Sequence, residues 1–553
     1  MRIVWGILFD MVMQTLKFKP SRFYFLLSLL ICAGYFLLFL RPNYAASENV
    51  KMVAVFEPDE YYPLRFVFNM IQPAESVGQA VRNFVLYKYY FYGFPYFAAS
   101  ALSLIPVSLL GRLNDTSVVM VVLRQAVSVL PMLGVVLLLI QLQTRFQSYK
   151  SIVLLLLLLS VPAVVRNNFW WHPDGLAILF STLVIVFLNR DQLKFGRDFY
   201  LAAVMCGVSA ATKGIGFYFF LSVSVYIVYG YLMKSRPVKA LMWASLGFLA
   251  AMGIAYLCAN PMLVSETARN SYFSIMQKQS ALLSSGYQVV YARGFFVALP
   301  TLTEYYGSVP FLLVALSACM FGILQDRDRL LNLILLTWLV PISVLIFWIT
   351  HFKFQYWLPV ALPLFSSLAL FLPDTISWSW FRDKFMPKNL LGFLPQFIAL
   401  TIAVVQFFLF VLADIQRYEE QVNRSENNPA IQFYDLAQKA LEPLGSRDIS
   451  LYHDVQMYVP DTRHWDTEST LKILDYGYIQ SNDFHVILLM QQRIYDYRNP
   501  DAQGIDPGEF ALSQKFYRDA QDGTINGYKL VFRNDFGLIF VRDDLYLRFF
   551  EAP

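Results

Sequence analysis

Residues 56 to 66 read FEPDEYYPLRF, which sets two carboxylates, Asp59 and Glu60, side by side directly after an apolar run. Further along, NFWWHPDGLA carries His172 and Asp174, SAATKGIGF carries Lys213, and GYQVVYARG carries Arg293. Near the end of the apolar region, THFKFQYWLP carries His351, Lys353 and Tyr356. Carboxylates and cations in this company suit one kind of chemistry. A carboxylate beside a hydroxyl takes its proton as the oxygen attacks, which is the work of a general base. A phosphate leaving in the same step gathers negative charge, which Lys or Arg stabilises. Taken singly, each residue has an ordinary explanation. Charges at helix ends are usually solvated, a lone His is more often a satisfied interfacial residue than a ligand, and Arg124, inside an apolar run, suits a bond to a carbonyl or a lipid headgroup. The set becomes informative only if the chain brings all of it to one side.

Composition says what must do the positioning. Of 553 residues, 57% are hydrophobic and only 15% charged, against about 25% charged in soluble proteins, so most of the chain belongs in lipid. The formal net charge of +5 matters less than where Lys and Arg fall. Met1 to Arg22 reads as an interfacial amphipathic helix ending in Lys17, Lys19 and Arg22. The first span is then Phe23–Leu40, and a long outer loop, 41–117, holds Asp59 and Glu60. The apolar run Phe91–Leu110 within that loop contains Gly93, Pro95 and Pro106. If it does not cross, the connections assigned to the cytoplasm (QTRFQSYK, NRDQLKFGRD, MKSRPVK, QDRDR and FRDKFMPK) hold thirteen Lys and Arg. The short connections on the other side then hold only Arg166, Lys213 and Lys353. A crossing run would invert that count, against the positive-inside rule, so the run is re-entrant or interfacial. The result is about eleven spans, with every residue of the chemical set at a span end on the outer face. Transporters instead place ionisable groups near the midplane and build paired repeats; neither pattern is visible. Cys32, Cys206, Cys258 and Cys319 all lie in apolar runs and read as small buried hydrophobes without disulfides or a metal cluster.

From 415 to 553 the composition turns soluble. AIQFYDLAQKALEPLG reads as a helix, DISLYHDV and FHVILLM as strands, and YKLVFRNDFGLIFVRDD as a hairpin turning at its Asn-Asp-Phe-Gly. The fold class expected is a polytopic α-helical membrane protein, 23–414, followed by a small α/β domain on the non-cytoplasmic face.

The ordered motifs resemble the GT-C glycosyltransferases: the Asp-Glu pair in the first outer loop, HPDG in the second, TKG between the fifth and sixth spans, NP opening a long outer loop that also carries Arg269 and Lys278, and HFKFQYWLPVALP near the end. The likeness is nearest to the protein O-mannosyltransferase and lipid A aminoarabinose transferase branch and covers roughly 1–415. PDE is similar to the HPDE of dolichyl-phosphate-mannose-dependent enzymes, with Glu57 in place of the His. The first loop has GFPYF rather than HPP, and the soluble tail does not look like a β-trefoil. The resemblance implies an enzyme that takes a monosaccharide from a polyprenyl-phosphate donor and transfers it, with inversion, on the outer face. It implies Asp59 as base, Glu60 as its orienter or an acceptor contact, and Asp174 as the second-loop carboxylate. Lys213, His351, Lys353 and Arg293 would meet the donor phosphate, and His172 and Tyr356 the substrate. No metal is required in that branch, although Asp59, Glu60 and Asp174 could coordinate a divalent ion. The implied partners are the lipid-linked sugar, a glycan, lipid or protein acceptor, and membrane lipid, with no nucleic acid. The implied setting is a bacterial inner membrane with the site toward the periplasm, or the endoplasmic reticulum in a eukaryote. Two other readings of the same charges stand beside it: a polymerase or ligase using diphosphate-linked glycans, and a non-enzymatic lipid-glycan transporter.

The charge asymmetry has a direct test. A tag fused after Pro553 should react with impermeant reagents from the periplasmic or lumenal side of intact membranes. Labelling only from the cytoplasmic side would reverse the sidedness of every candidate residue.

Overall fold

The computed structural model describes residues 20–285, 294–325, 328–350, 352–373, 387–470, 473–498 and 507–551. Three expectations therefore lie outside the described residues: Arg293, His351 and nearly all of the amphipathic helix over 1–22.

The chain is an integral membrane protein. Among the described residues six helices are long and apolar enough to cross a bilayer: Pro20–Tyr44, Thr116–Thr144, Gly214–Leu232, Val238–Cys258, Arg329–Ile349 and Leu394–Val422. A seventh forms if Phe295–Tyr306 and Val309–Leu324, bent by 80° at their junction, are one span. That bend sits on Gly307, whose φ of +95° is a left-handed value that side chains avoid. A Cβ there would also meet Gln406 at 2.9 Å. The remaining expected positions are helical but short. Lys150–Leu159 stops before Pro162, which starts the separate helix Pro162–Asn167, because proline can begin a helix but not continue one. Asp174–Asp191 packs against Arg197–Thr212 and against Thr116–Thr144 at the centre, and Arg197–Thr212 packs in turn on Val238–Cys258. Among the described residues six or seven helices thus pass on length and apolarity, which does not confirm the eleven expected. The difference lies in broken and central helices that lean on protein rather than on lipid.

The 29-residue helix Thr116–Thr144 is capped at its start by Asp115, whose side chain accepts from the Val118 N–H at 3.1 Å. At about 43 Å it exceeds an apolar core of about 30 Å, so its first turns have room to stand clear. Its regular pitch gives way to a π stretch over Gln125–Val129. That stretch precedes Pro131, whose ring would otherwise strike the carbonyl four residues back.

The questioned apolar run is the helix Phe94–Leu109. Its first residues meet the end of Arg197–Thr212: the Gly93 N–H donates to the Thr212 carbonyl at 3.3 Å. A Cβ on Gly93 would lie 1.7 Å from the Ala211 oxygen, so only glycine permits that approach. Along its length the helix buries Leu104 and Val107 with Val119 and Met120, beside the start of the long helix. It packs along the first turns of that helix.

The soluble domain is a five-stranded mixed sheet in the order β2–β1–β3–β5–β4. The strands are β1, Ile449–His453; β2, Trp465–Glu468; β3, Val486–Met490; β4, Tyr528–Arg533; and β5, Gly537–Arg542. β1 pairs parallel with β2 and β3, and β5 pairs antiparallel with β3 and β4. The β4–β5 turn closes where Asn-Asp-Phe-Gly predicts it. Asn534 Oδ1 accepts from the N–H groups of Phe536 and Gly537 at 3.0 and 2.9 Å, the local bond that suits Asn to turns. β2, the polar WDTE, carries no strand signal; it is an edge strand with alternating burial. Separate apolar clusters cover the two faces of the sheet.

The helix Pro387–Val422 runs from the apolar region toward this domain. The domain rests on the short helix Val50–Phe56 through Lys51, 3.6 Å from Asp461 and 3.2 Å from Thr467 Oγ1, and through Asn49, 3.1 Å from the Tyr458 hydroxyl. Of the four cysteines, Cys258 is exposed rather than buried, and all four are free. Cys258 is the last residue of the helix Val238–Cys258, where the next turn no longer covers it.

Candidate active site

The segment 41–117 enters the site through a helix that begins at Pro58, a residue suited to a first turn. Asp59 and Glu60 occupy that turn, where a carboxylate is favoured by the helix dipole. Successive helix positions are about 100° apart, so the two side chains diverge. Glu60 is fully buried and held by a two-pronged bond from Arg124: Nη2 to Oε2 at 2.5 Å and Nε to Oε1 at 2.9 Å. The Trp171 N–H adds a third donor to Oε1 at 2.5 Å. Arg124 completes its own valence on the Asn43 carbonyl at 2.7 Å and Ser47 Oγ at 3.0 Å. Asp59 is exposed, with no hydrogen bond or ion pair among the described residues.

A second network forms where Asp174 starts its helix. His172 stacks on Trp170, with ring centroids 4.2 Å apart and planes 8° from parallel. Its Nδ1 lies 2.5 Å from Asp174 Oδ2, and its Nε2 lies 3.2 Å from the Tyr92 hydroxyl. An ionised Asp174 only accepts, so Nδ1 carries the proton of that bond. The other oxygen of Asp174 takes Lys213 Nζ. Burial alone would raise the Asp174 carboxyl, but Lys213 and His172 outweigh it and hold the group below the usual range. Lys213 ends the helix Arg197–Thr212 and lies 5.1 Å from the centre of the Tyr356 ring, within cation–π reach.

Lys353 precedes the helix Phe354–Ser366 and feels the charges of Asp59, Lys213 and Asp174. It has no hydrogen bond or ion pair among the described residues. Burial depresses its ammonium pKa, and Asp59 works against that depression.

The structure thus gathers Asp59, Asp174, His172, Lys213, Lys353 and Tyr356 on one face, with Glu60 buried immediately behind. Glu60 and His172 are fully engaged by protein partners, so they brace the site. The trio considered for a divalent ion does not fit one: Glu60 is saturated by Arg124 and Trp171, and Asp174 by His172 and Lys213. Among the described residues no three His, Cys, Asp or Glu side chains converge as a metal-binding set. Sequence reasoning missed Tyr92, Glu57 and Arg424. For Tyr92 a signal was present in the aromatic density of YKYYFYGFPYF; for Glu57 it was the departure from HPDE. Arg424 had none, because it joins from the far end of the apolar region.

No protein-family model matches the chain, and no curated protein matches it in sequence. Solved structures do match. The fold is shared with membrane proteins of known structure. ArnT from Cupriavidus metallidurans bound to undecaprenyl phosphate is similar with a TM-score of 0.54 and 14% identity, over 94% of this chain and 98% of that one. The archaeal oligosaccharyltransferase AglB from Archaeoglobus fulgidus, in complex with an inhibitory peptide and a dolichol-phosphate, is similar with a TM-score of 0.50 and 11% identity, over 95% and 77%. At these identities the likeness is one of fold.

The buried pair behind Asp59 makes a stability prediction. Glu60→Gln leaves the Arg124 guanidinium uncompensated and should cost about 3–5 kcal/mol, whereas Glu60→Leu with Arg124→Met should recover most of it. Thermal unfolding of the purified full-length single and double variants reads this directly. A single variant as stable as the parent would mean that the clamp does not hold the loop.

Proposed function

We propose that this protein is a glycosyltransferase that moves a monosaccharide from a polyprenyl-phosphate donor to a hydroxyl acceptor at the outer membrane face, with inversion. The observation that carries this reading is one carboxylate, Asp59, and one ammonium, Lys353, whose charge it acts on, neither with a partner among the described residues, in a site where Glu60, His172, Asp174 and Lys213 are already paired. The fold is shared with two proteins solved with undecaprenyl phosphate and with a dolichol-phosphate, which supports a ligand of that class here.

The roles follow from chemistry. Asp59 accepts the acceptor's hydroxyl proton as that oxygen bonds to the anomeric carbon. The bond from that carbon to the donor's phosphate oxygen breaks, and its electron pair leaves on the polyprenyl phosphate. Lys353, whose ammonium is incompletely solvated, neutralises the departing oxygen. Lys213 assists from the same side while Asp174 and Tyr356 hold it in place. The Asp174–His172–Tyr92 chain fixes the orientation of Lys213 and so acts through it. Arg293 and His351 are proposed as further phosphate contacts. Attack opposite the leaving group inverts the anomeric centre.

Asp59→Asn is nearly isosteric, and should lower transfer from a polyprenyl-phosphate sugar by about 10²–10⁴-fold while leaving donor affinity within a few-fold. Lys353→Ala should weaken donor binding or slow transfer at least about tenfold, and Lys353→Arg should restore part of the loss. A panel of polyprenyl-phosphate sugars with purified enzyme measures both. Full turnover by Asp59→Asn would end the base assignment. Turnover only with diphosphate-linked oligosaccharides would replace the donor class with that of a polymerase or ligase.

A further inference from the structure

A second group of cations lies behind a wall of aromatic rings. Trp170, stacked on His172, contacts Phe354 at 6.1 Å, and Phe354 stacks on Tyr305 at 4.8 Å. On the far side of Tyr305 lies Arg417, its guanidinium 4.9 Å from the ring centre. Arg424 follows two turns later, just past the end of the helix Pro387–Val422. Arg166, at the end of Pro162–Asn167, joins them. Arg166 Nη2 and Arg424 Nη1 share a single oxygen, Glu57 Oε1, at 3.1 and 3.8 Å.

The donors of this cluster are incompletely met. One carboxylate serves two guanidinium groups. Arg424 also donates to the Ala45 carbonyl at 3.0 Å and stands 4.8 Å over the Phe56 ring, yet its Nε is buried with no partner among the described residues. Arg417 Nη2 reaches Glu304 at 3.0 Å, a half-exposed residue, while its Nη1 is likewise buried and unpartnered. Asp414, one turn before Arg417, is the remaining nearby carboxylate, and its Oδ1 is also unpartnered. Unmet buried donors on charged groups cost free energy that a bound acceptor recovers. Burial pushes the Glu57 carboxyl up in spite of Arg166 and Arg424, and burial with Arg124 pulls Arg424 down to about 9. The cluster is open to a ligand at Arg166, whose side chain is 31% exposed against 17% for Arg417 and 9% for Arg424.

We propose that Arg166, Arg417 and Arg424 form a second anion site, separate from the Lys213–Lys353 side, for a phosphomonoester that displaces Glu57 from the two arginines it bridges. Guanidinium forks suit phosphate oxygens by geometry as well as charge. The same chemistry is offered by a lipid phosphate headgroup and by a soluble phosphate. The inference does not depend on the transfer reaction, because the site is defined by binding alone.

Calorimetric titration of the full-length protein in dodecyl maltoside, with inorganic phosphate in one arm and dodecyl phosphate in the other, tests it. Binding should survive Lys353→Gln and fall at least about tenfold in Arg166→Gln and in Arg417→Gln, with Arg166→Lys retaining most of it. Glu57→Gln should tighten binding severalfold, since the competing carboxylate is removed; a purely structural Glu57 would not do this. Arg417→Gln disturbs the fold least, because its described ion pair is with half-exposed Glu304, and it keeps the test valid if Arg166→Gln misfolds. Response to dodecyl phosphate alone identifies a lipid headgroup, and equal response to both probes identifies a soluble anion. Loss of all binding with Lys353→Gln, or indifference to the arginine and Glu57 substitutions, overturns the proposal.

Discussion

Everything chemical in this molecule depends on one buried ion pair, Arg124 with Glu60. An arginine inside a membrane-grade helix is tolerable only if its charge and donors are met, and here Glu60, the Asn43 carbonyl and Ser47 meet them. The pair joins the helix Pro58–Ile71 to the long helix Thr116–Thr144, and the Trp171 N–H ties the segment before Asp174 to the same carboxylate. With Glu60 drawn inward, helix geometry turns its neighbour Asp59 outward. The proposed base is thus left without a partner among the described residues while the residue beside it is committed.

The same economy of partners organises the other charges. Asp174 is committed to His172 and Lys213, and His172 is braced between Trp170 and Tyr92. Such a network holds its members rigid, so a phosphate meeting Lys213 would not have to order it first. Lys353 stands outside that network in a partly dehydrated place, where an anion would be worth more than in water. A carboxylate without partners and an ammonium without partners are the costs that the packed remainder sustains.

Glu57 marks the division between two basic regions. It lies two residues before Asp59, yet it turns toward Arg166 and Arg424 rather than toward the lysines. Trp170, Phe354 and Tyr305 form the partition. Because Arg424 follows directly from the helix that leads to the C-terminal domain, and Lys51 joins that domain to the short helix Val50–Phe56, both sides of the partition are tied to elements that meet at the segment 41–117.

Some of this was legible in the chain alone. Hydrophobic runs, the position of Lys and Arg, and the turn chemistry of Asn-Asp-Phe-Gly depend on local composition and short-range bonds. They were enough for a membrane protein with a small C-terminal sheet domain, and for the turn that joins its last two strands. What the chain could not show is which charge meets which. Arg124 and Glu60 are 64 residues apart, and Arg424 reaches Glu57 across most of the sequence. Such pairs are chosen by packing, since burial makes an unpaired charge too costly and thereby selects its partner. Only the tertiary structure could therefore make Glu60 a brace, leave Asp59 free, split the cations into two regions and shorten the central helices that protein rather than lipid surrounds.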